Sequence, residues 1–308
     1  MKQIFILSQR KEFEKMKLIK TKFTLKDYKK FDCENREVYL FEDQDCDELL
    51  DSFYTRVIGF IKRKEHFPII RIADGEFQFL LGKNEFNLRK PIHKLIVHII
   101  RQLLDRVLKP KFVAKARTYS AGVYNHSERS NVKNQYAECL KYISEKGILG
   151  IYTVIKPGFY SEQYLPKLFS FFDKENIDVN HKNYIPFYFI YIILTNKRYS
   201  SIYKDKHVHL ITSFDQERKM KIENTLNSLG VKAVTWTKIS RSRSLFDTFN
   251  TDDISKSVDI IFVGAGVGKV NIFNQLKNIP AIIIDAGYIF ETWQDPKLRN
   301  ERDYCEAH

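Results

Sequence analysis

Residues 258–293 read VDIIFVGAGVGKVNIFNQLKNIPAIIIDAGYIFETW. Val258 to Val263 is a short apolar run that breaks at Gly264-Ala265-Gly266-Val267-Gly268-Lys269. A segment with helical character follows over about residues 268–277, and a second apolar run, Ala281 to Asp285, leads into Gly287. Strand, glycine turn, helix and strand in that order spell a βαβ unit, whose strands lie parallel. The alternation continues upstream. His207 to Ser213 reads as a strand, Asp215 to Leu229 as a helix stopped by Gly230, and Val231 to Trp236 as a strand. Short apolar strands alternating with helices predict an α/β fold of Rossmann-like character, a mostly parallel sheet with helices on both faces.

The first half carries the same signals less regularly. Leu49, Leu50, Phe53, Tyr54, Val57, Ile58 and Ile61 recur at helical spacing, and Asp45, Asp47 and Glu48 suit the start of that helix. PIIRIA over 68–73 reads as a buried strand and Pro91 to Leu108 as an amphipathic helix. FVAKARTYSAG over 112–122 reads as strand and loop, 134–146 as a helix, 148–155 as a strand, and 160–172 and 183–196 as two helices. Residues 1–45 are Lys-rich and weakly patterned. They are expected to form an N-terminal extension, able to add a strand, ahead of one domain over 46–308.

Composition narrows the class. The 308 residues are 44% hydrophobic and 29% charged, with 12 Gly and 8 Pro, which suits a globular chain and excludes a disordered or fibrous one. The net charge of +13 favours anionic partners such as phosphates or an acidic membrane surface, although a Lys-rich solvated surface has the same composition. Cys33, Cys46, Cys139 and Cys305 are widely spaced without a C-x-x-C pair, so reduced thiols in a cytosol are expected. The opening MKQIFILSQRKEFEK is short for a signal peptide, and Ile185 to Leu194 falls below the roughly 20 apolar residues of a membrane span. A cytoplasmic protein is the expectation, with peripheral attachment at the inner face of the membrane left open.

In open α/β sheets ligands sit at the carboxyl ends of strands, and four clusters fall there: Arg71 to Glu76, Ser213 to Arg218, Gly264 to Lys269, and Asp285 to Tyr288. Asp74 and Glu76 flank Gly75; in an extended segment their carboxylates share a side, repel each other, and suit a hard divalent ion such as Mn²⁺ or Mg²⁺. Arg71 could neutralise a phosphate or pin a carboxylate. The plain alternative is an ordinary turn and helix start. Gly264, Gly266 and Lys269 fit a loop that lets backbone approach a phosphate, and Asp285 stands near the spacing of an acid that reaches a ribose hydroxyl. The third glycine comes one place early for a dinucleotide fingerprint, Val270 departs from a P-loop, and the plain alternative is a tight strand-to-helix turn without ligand. Ser213-Phe214-Asp215 reads as a helix cap, His207 and His209 as ordinary strand histidines, and Lys238 to Arg243 (KISRSR) as a diphosphate contact or a solvated loop. His126 is a weak general-base candidate. No nucleic-acid signature appears.

Ile69 to Phe77 (IIRIADGEF) resembles the R-x-G-D-G-E signature of the GT-D type bacterial glycosyltransferases, and Val258 to Trp293 is similar to that family's C-terminal G-x-G loop and D-x-G strand end. The resemblance implies a Rossmann-like fold of GT-D type, a UDP-sugar donor, and a divalent metal bound through the D-x-E carboxylates. By position it makes Asp74 and Glu76 the acidic pair and Arg71 the motif arginine, and it makes Gly264, Gly266, Asp285 and Gly287 the donor-side loops. Ala73 replaces the motif glycine, and Tyr288 stands where some relatives carry a histidine. The expected activity is transfer of a hexose to a saccharide or glycan acceptor, lipid-linked acceptors included, in cell-surface polysaccharide or glycoprotein synthesis. The competing expectations are a Rossmann-type NAD- or nucleotide-binding protein of another class and a non-catalytic polyanion binder.

Overall fold

The computed structural model describes residues 18–22, 37–42, 44–81, 114–115, 123–124, 126–153 and 161–295. The expected helix over 91–108 lies outside them. At the centre is a parallel sheet of strands β3 (Phe67–Ile72), β6 (Ile148–Ile151), β7 (Tyr184–Pro186), β8 (His207–Thr212), β9 (Ala233–Lys238), β10 (Ile260–Gly264) and β11 (Ile282–Asp285). Their order is β7-β6-β3-β11-β10-β8-β9. Every residue of β3, β6 and β11 is buried, so both faces of the sheet are covered, as their Ile-rich apolar runs require. The α/β fold predicted from the alternation of elements is the fold observed.

Two short antiparallel pairs stand apart from this sheet. One joins β1 (Leu18–Lys22) to β2 (Glu37–Phe41), the other β4 (Ala114–Lys115) to β5 (Val123–Tyr124). β2 lies against the edge strand β7, where the Tyr184 hydroxyl donates to the Tyr39 carbonyl at 2.5 Å and Phe41 meets the Tyr184 ring edge-on. Val38 and Leu40, from the stretch read as an extension, are buried in the same core as the central strands.

The helices are α1 (Cys46–Arg63), α2 (Asp74–Leu81), α3 (His126–Lys146), α4 (Ser161–Lys174), α5 (Tyr188–Thr195), α6 (Gln216–Ser228), α7 (Lys269–Gln275) and α8 (Ile289–Gln294). Asp45 caps α1 by accepting from the backbone N–H groups of Asp47 and Glu48, and Asp215 caps α6 by accepting from Arg218, the cap role read for Ser213-Phe214-Asp215. Three expectations are corrected. The helix read over 183–196 is strand β7 followed by α5: a continuous apolar run lacks the period that separates strand from helix, and Pro186 is tolerated because β7 is an edge strand. The helix read from 134 begins at His126, since HSERSNVK carries no apolar period to announce it. Most consequentially, the chain is helical from Asp74 onward.

Sheet order fixes where a ligand can sit. The chain winds outward from β3 through β6 to β7, while the later strands return through β10 to β11, which pairs with β3. The winding therefore reverses between β3 and β11, and the crevice at their carboxyl ends is the binding position expected of an open α/β sheet. Among the described residues no helix is long and apolar enough to cross a membrane.

Candidate functional site

Arg71 on β3, Glu76 on α2, Lys269 at the start of α7 and Asp285 at the end of β11 meet at this crevice in one buried cluster. The Arg71 guanidinium donates from Nη2 to Asp285 Oδ1 at 3.1 Å, and the Arg71 backbone N–H donates to Asp285 Oδ2 at 3.3 Å. Lys269 Nζ lies 2.6 Å from Asp285 Oδ2, 2.8 Å from Glu76 Oε1 and 2.6 Å from the Arg71 carbonyl oxygen. An ammonium has three N–H donors, and these three oxygens use them all. Two cations face two anions, so the cluster is neutral as a whole, the condition under which buried charge is tolerated. Burial pushes the Asp285 carboxyl up, but Arg71 and then Lys269 outweigh it and hold the group below the usual carboxylate range. Burial likewise pulls the Arg71 guanidinium down, and Asp285 more than restores it.

Local sequence explains the placement. Ala73 precedes the first residue of α2 and offers no capping side chain. Glu76, in the helix's first turn, reaches back so that its Oε2 accepts the Ala73 N–H at 2.9 Å, half of a capping box. In a helix of 3.6 residues per turn, positions 74 and 76 stand about 200° apart around the axis, so they do not share a side as an extended segment would have them. Of the two expected metal ligands, Glu76 is buried with both oxygens engaged, one by Lys269 and one by Ala73. A divalent ion binding there would compete with Lys269 for Glu76 Oε1. Asp74 opens α2, and its side chain lies outside the described residues, as does that of His126. Among the described residues no three His, Cys, Asp or Glu side chains are grouped to hold a metal.

The glycines of the two C-terminal motifs are explained by their neighbours. A Cβ on Gly264 would lie 2.4 Å from the Phe290 ring, and one on Gly268 would lie 2.2 Å from Ser244 Oγ. Gly287 has φ +40, and a Cβ there would lie 2.0 Å from Arg71 Nη2. Gly266 and Gly75 stand at the same carboxyl edge, on either side of the cluster. Asp285, whose spacing suggested a ribose hydroxyl, has both oxygens held by Arg71 and Lys269 and is 1% exposed. Lys269, read as a nucleotide contact, is likewise held inside the protein.

No family model matches the chain, and no curated protein matches it. Two solved structures are similar to it. One is described as a selenomethionine-substituted structure of domain of unknown function 1792, at 13% identity, covering 82% of this chain and 85% of that one, with a TM-score of 0.47. The other is described by the statement that domain 1792 has a distinct glycosyltransferase fold, at 12% identity, the same coverage and a TM-score of 0.47. The likeness is distant.

Outside the cluster, the sequence-predicted residues separate cleanly. His209 is buried, with Nδ1 paired to Thr235 Oγ1 at 2.8 Å and Nε2 to Thr237 Oγ1 at 2.9 Å, and burial holds its pKa down at about 4. It is a satisfied strand histidine. The basic stretch 238–243, with Arg241 and Arg243 exposed, leads to Ser244, whose hydroxyl donates to the Ala265 carbonyl at 3.2 Å and so brings this segment to the glycine loop, while the Arg243 guanidinium lies over the Phe246 ring at 4.3 Å. Two residues that motif reading missed are Phe187 and Tyr191: the Arg71 guanidinium lies over their rings, 5.1 and 4.9 Å from the centroids. The signal was their i, i+4 spacing, masked by an apolar run that reads as core.

Proposed function

We propose that the chain is a glycosyltransferase that moves a hexose from a UDP-sugar to a saccharide or glycan acceptor, in the assembly of a cell-surface polysaccharide or glycoprotein. The observation that carries this reading is the joining of Arg71-Ile72-Ala73-Asp74-Gly75-Glu76 to Asp285-Ala286-Gly287 through Lys269, across the crevice where the sheet reverses. Two motifs far apart in the chain are thereby held together at one carboxyl edge of the sheet. In the reaction the bond from the sugar C1 to the β-phosphate oxygen breaks and a bond from C1 to the acceptor oxygen forms. The acceptor hydroxyl proton passes to a base, and UDP departs with the electron pair.

Charge on the departing diphosphate must be neutralised. Exposed Arg241 and Arg243, beside the glycine loop, are proposed to face it, with Gly264 and Gly266 at the nucleotide end. A divalent ion, Mn²⁺ or Mg²⁺, would supply Lewis-acid stabilisation of that leaving group when bound. Asp74 is the carboxylate proposed to hold it. Glu76 is already paired with Lys269, and in this arrangement it positions the start of α2 by accepting the Ala73 N–H.

The test is donor-dependent UDP release across a panel of UDP-hexoses with Mn²⁺. Asp74→Asn is expected to lower turnover about a hundredfold, the size of a lost charge-stabilising group, with little change in melting temperature. Full turnover in Asp74→Asn, or no release from any donor, overturns the reading.

A further inference from the structure

The other side of the crevice carries a feature that no motif announced. Tyr152 follows β6, Tyr188 follows β7 and Tyr288 follows β11, so three tyrosines stand at the carboxyl ends of three sheet strands around Arg71. Among the described residues, Tyr288 is one of three large hydrophobic side chains left exposed, at 42%. Tyr152 and Tyr188 are half-buried. Beneath them lies a floor of buried rings: Tyr152 meets Phe187 edge-on at 5.5 Å, Tyr188 meets Phe187 at 5.3 Å, and Tyr191 meets Tyr288 at 6.5 Å and 89°. The Tyr188 hydroxyl donates to the Tyr152 hydroxyl at 3.4 Å. The floor is anchored by Arg71, itself fixed by Asp285.

A tyrosine presents an apolar face and a polar tip, and edge-to-face contacts hold these rings in fixed relative orientations. A pyranose has the matching chemistry, with a C–H face that packs on a ring and hydroxyls that reach phenol oxygens. Position separates this feature from the nucleotide end. The glycine loop and Arg241 and Arg243 follow β10 and β9, on one side of the β3–β11 crevice, whereas Tyr152 and Tyr188 follow β6 and β7, on the other. We infer that Tyr152, Tyr188 and Tyr288 form a platform for a pyranose ring, either the donor's transferred sugar or the acceptor sugar. This deepens the transferase reading and rests on it for the identity of the reaction.

Saturation-transfer NMR on the full chain tests it, with UDP, UDP-glucose, and the methyl glycosides of glucose, galactose and N-acetylglucosamine as probes. The expected result is saturation of pyranose C–H protons, lowered about threefold to tenfold by Tyr288→Ala and by Tyr152→Ala. Tyr288→Phe, which keeps the ring, should retain the signal, and the uracil signal of UDP should be unchanged in every variant. Pyranose signal from UDP-glucose alone assigns the platform to the donor sugar. Signal from a free glycoside that persists with UDP-glucose bound assigns it to the acceptor. A uracil signal that falls with the tyrosines would show a nucleobase shelf and overturn the proposal, as would pyranose signals that ignore the substitutions. If no pyranose is saturated the platform is refuted; a silent UDP beside a saturated glycoside refutes the transferase reading and leaves the platform standing.

Discussion

Lys269→Met removes the ammonium at the centre of the buried cluster and keeps an unbranched, flexible side chain in its place. Three contacts are lost: Glu76 Oε1 at 2.8 Å, Asp285 Oδ2 at 2.6 Å and the Arg71 carbonyl at 2.6 Å. Asp285 keeps the Arg71 guanidinium, so it remains compensated. Glu76 keeps only the Ala73 N–H as a direct contact and becomes a buried carboxylate without an ion-pair partner, its remaining attraction being the longer-range one to Arg71. Removing one partner of a buried pair costs about 3–5 kcal/mol. With an unfolding entropy of about 2.1 cal/mol/K per residue, the 308 residues give about 0.65 kcal/mol/K, so the melting midpoint should fall by about 5–8 °C. Glu76→Gln in the same background removes the orphaned charge. The double variant should therefore be more stable than Lys269→Met, with a coupling of about 2 kcal/mol or more. Urea titrations followed by circular dichroism on the wild type, both single variants and the double complete the cycle. A loss below about 1 kcal/mol for Lys269→Met, or strictly additive losses, would show that the ammonium does not balance these carboxylates, and the argument for a neutral buried cluster would fail.

His209 gives a pH signature: its pKa is held at about 4 by burial, against about 6.5 in an unfolded chain. Above pH 6.5 both states are neutral; between about 6.5 and 4 the unfolded chain takes up a proton that the fold refuses, so stability should decline by up to about 3 kcal/mol and then level off. Urea midpoints over that range should lose this slope in His209→Gln, and a wild-type slope in the variant counts against the assignment. Gly287→Ala should cost about 2–4 kcal/mol, combining a left-handed backbone position with a Cβ forced against Arg71 Nη2; a change within about 0.5 kcal/mol in chemical denaturation refutes it.

What the sequence made legible was decided by periodicity. VDIIFV, AIIID and HVHLIT are short, apolar and bounded by turn residues, so the parallel sheet and its carboxyl edge could be located from them. The apolar run around residues 184–194 hid a strand, because a segment buried on every side carries no period for either structure. The site was legible as an edge, not as contacts. Asp74 and Glu76 could be placed at a strand end, yet their relation depends on whether the backbone continues extended or turns helical at Asp74, and D-G-E is compatible with both. The close approaches of Phe290 to Gly264, Ser244 to Gly268 and Arg71 to Gly287 are tertiary contacts that no local pattern states.

The pairing of Lys269 with Glu76 joins residues from opposite halves of the chain, and no local pattern encodes it. It follows from sheet order: β11 lies between β3 and β10, so the helix after β10 and the helix after β3 both begin beside Asp285. A cation projecting from one helix start and an anion from the other then neutralise each other across the strand between them. Seen this way, the two carboxylates of the D-x-E motif have separable duties. Glu76 locks the first turn of α2 to the sheet, and Asp74 is the acid proposed above to hold the divalent ion. Loss of stability should therefore track Glu76, while loss of turnover without loss of stability should track Asp74. A variant series in which the two effects cannot be told apart would mean that the pair acts as one unit after all.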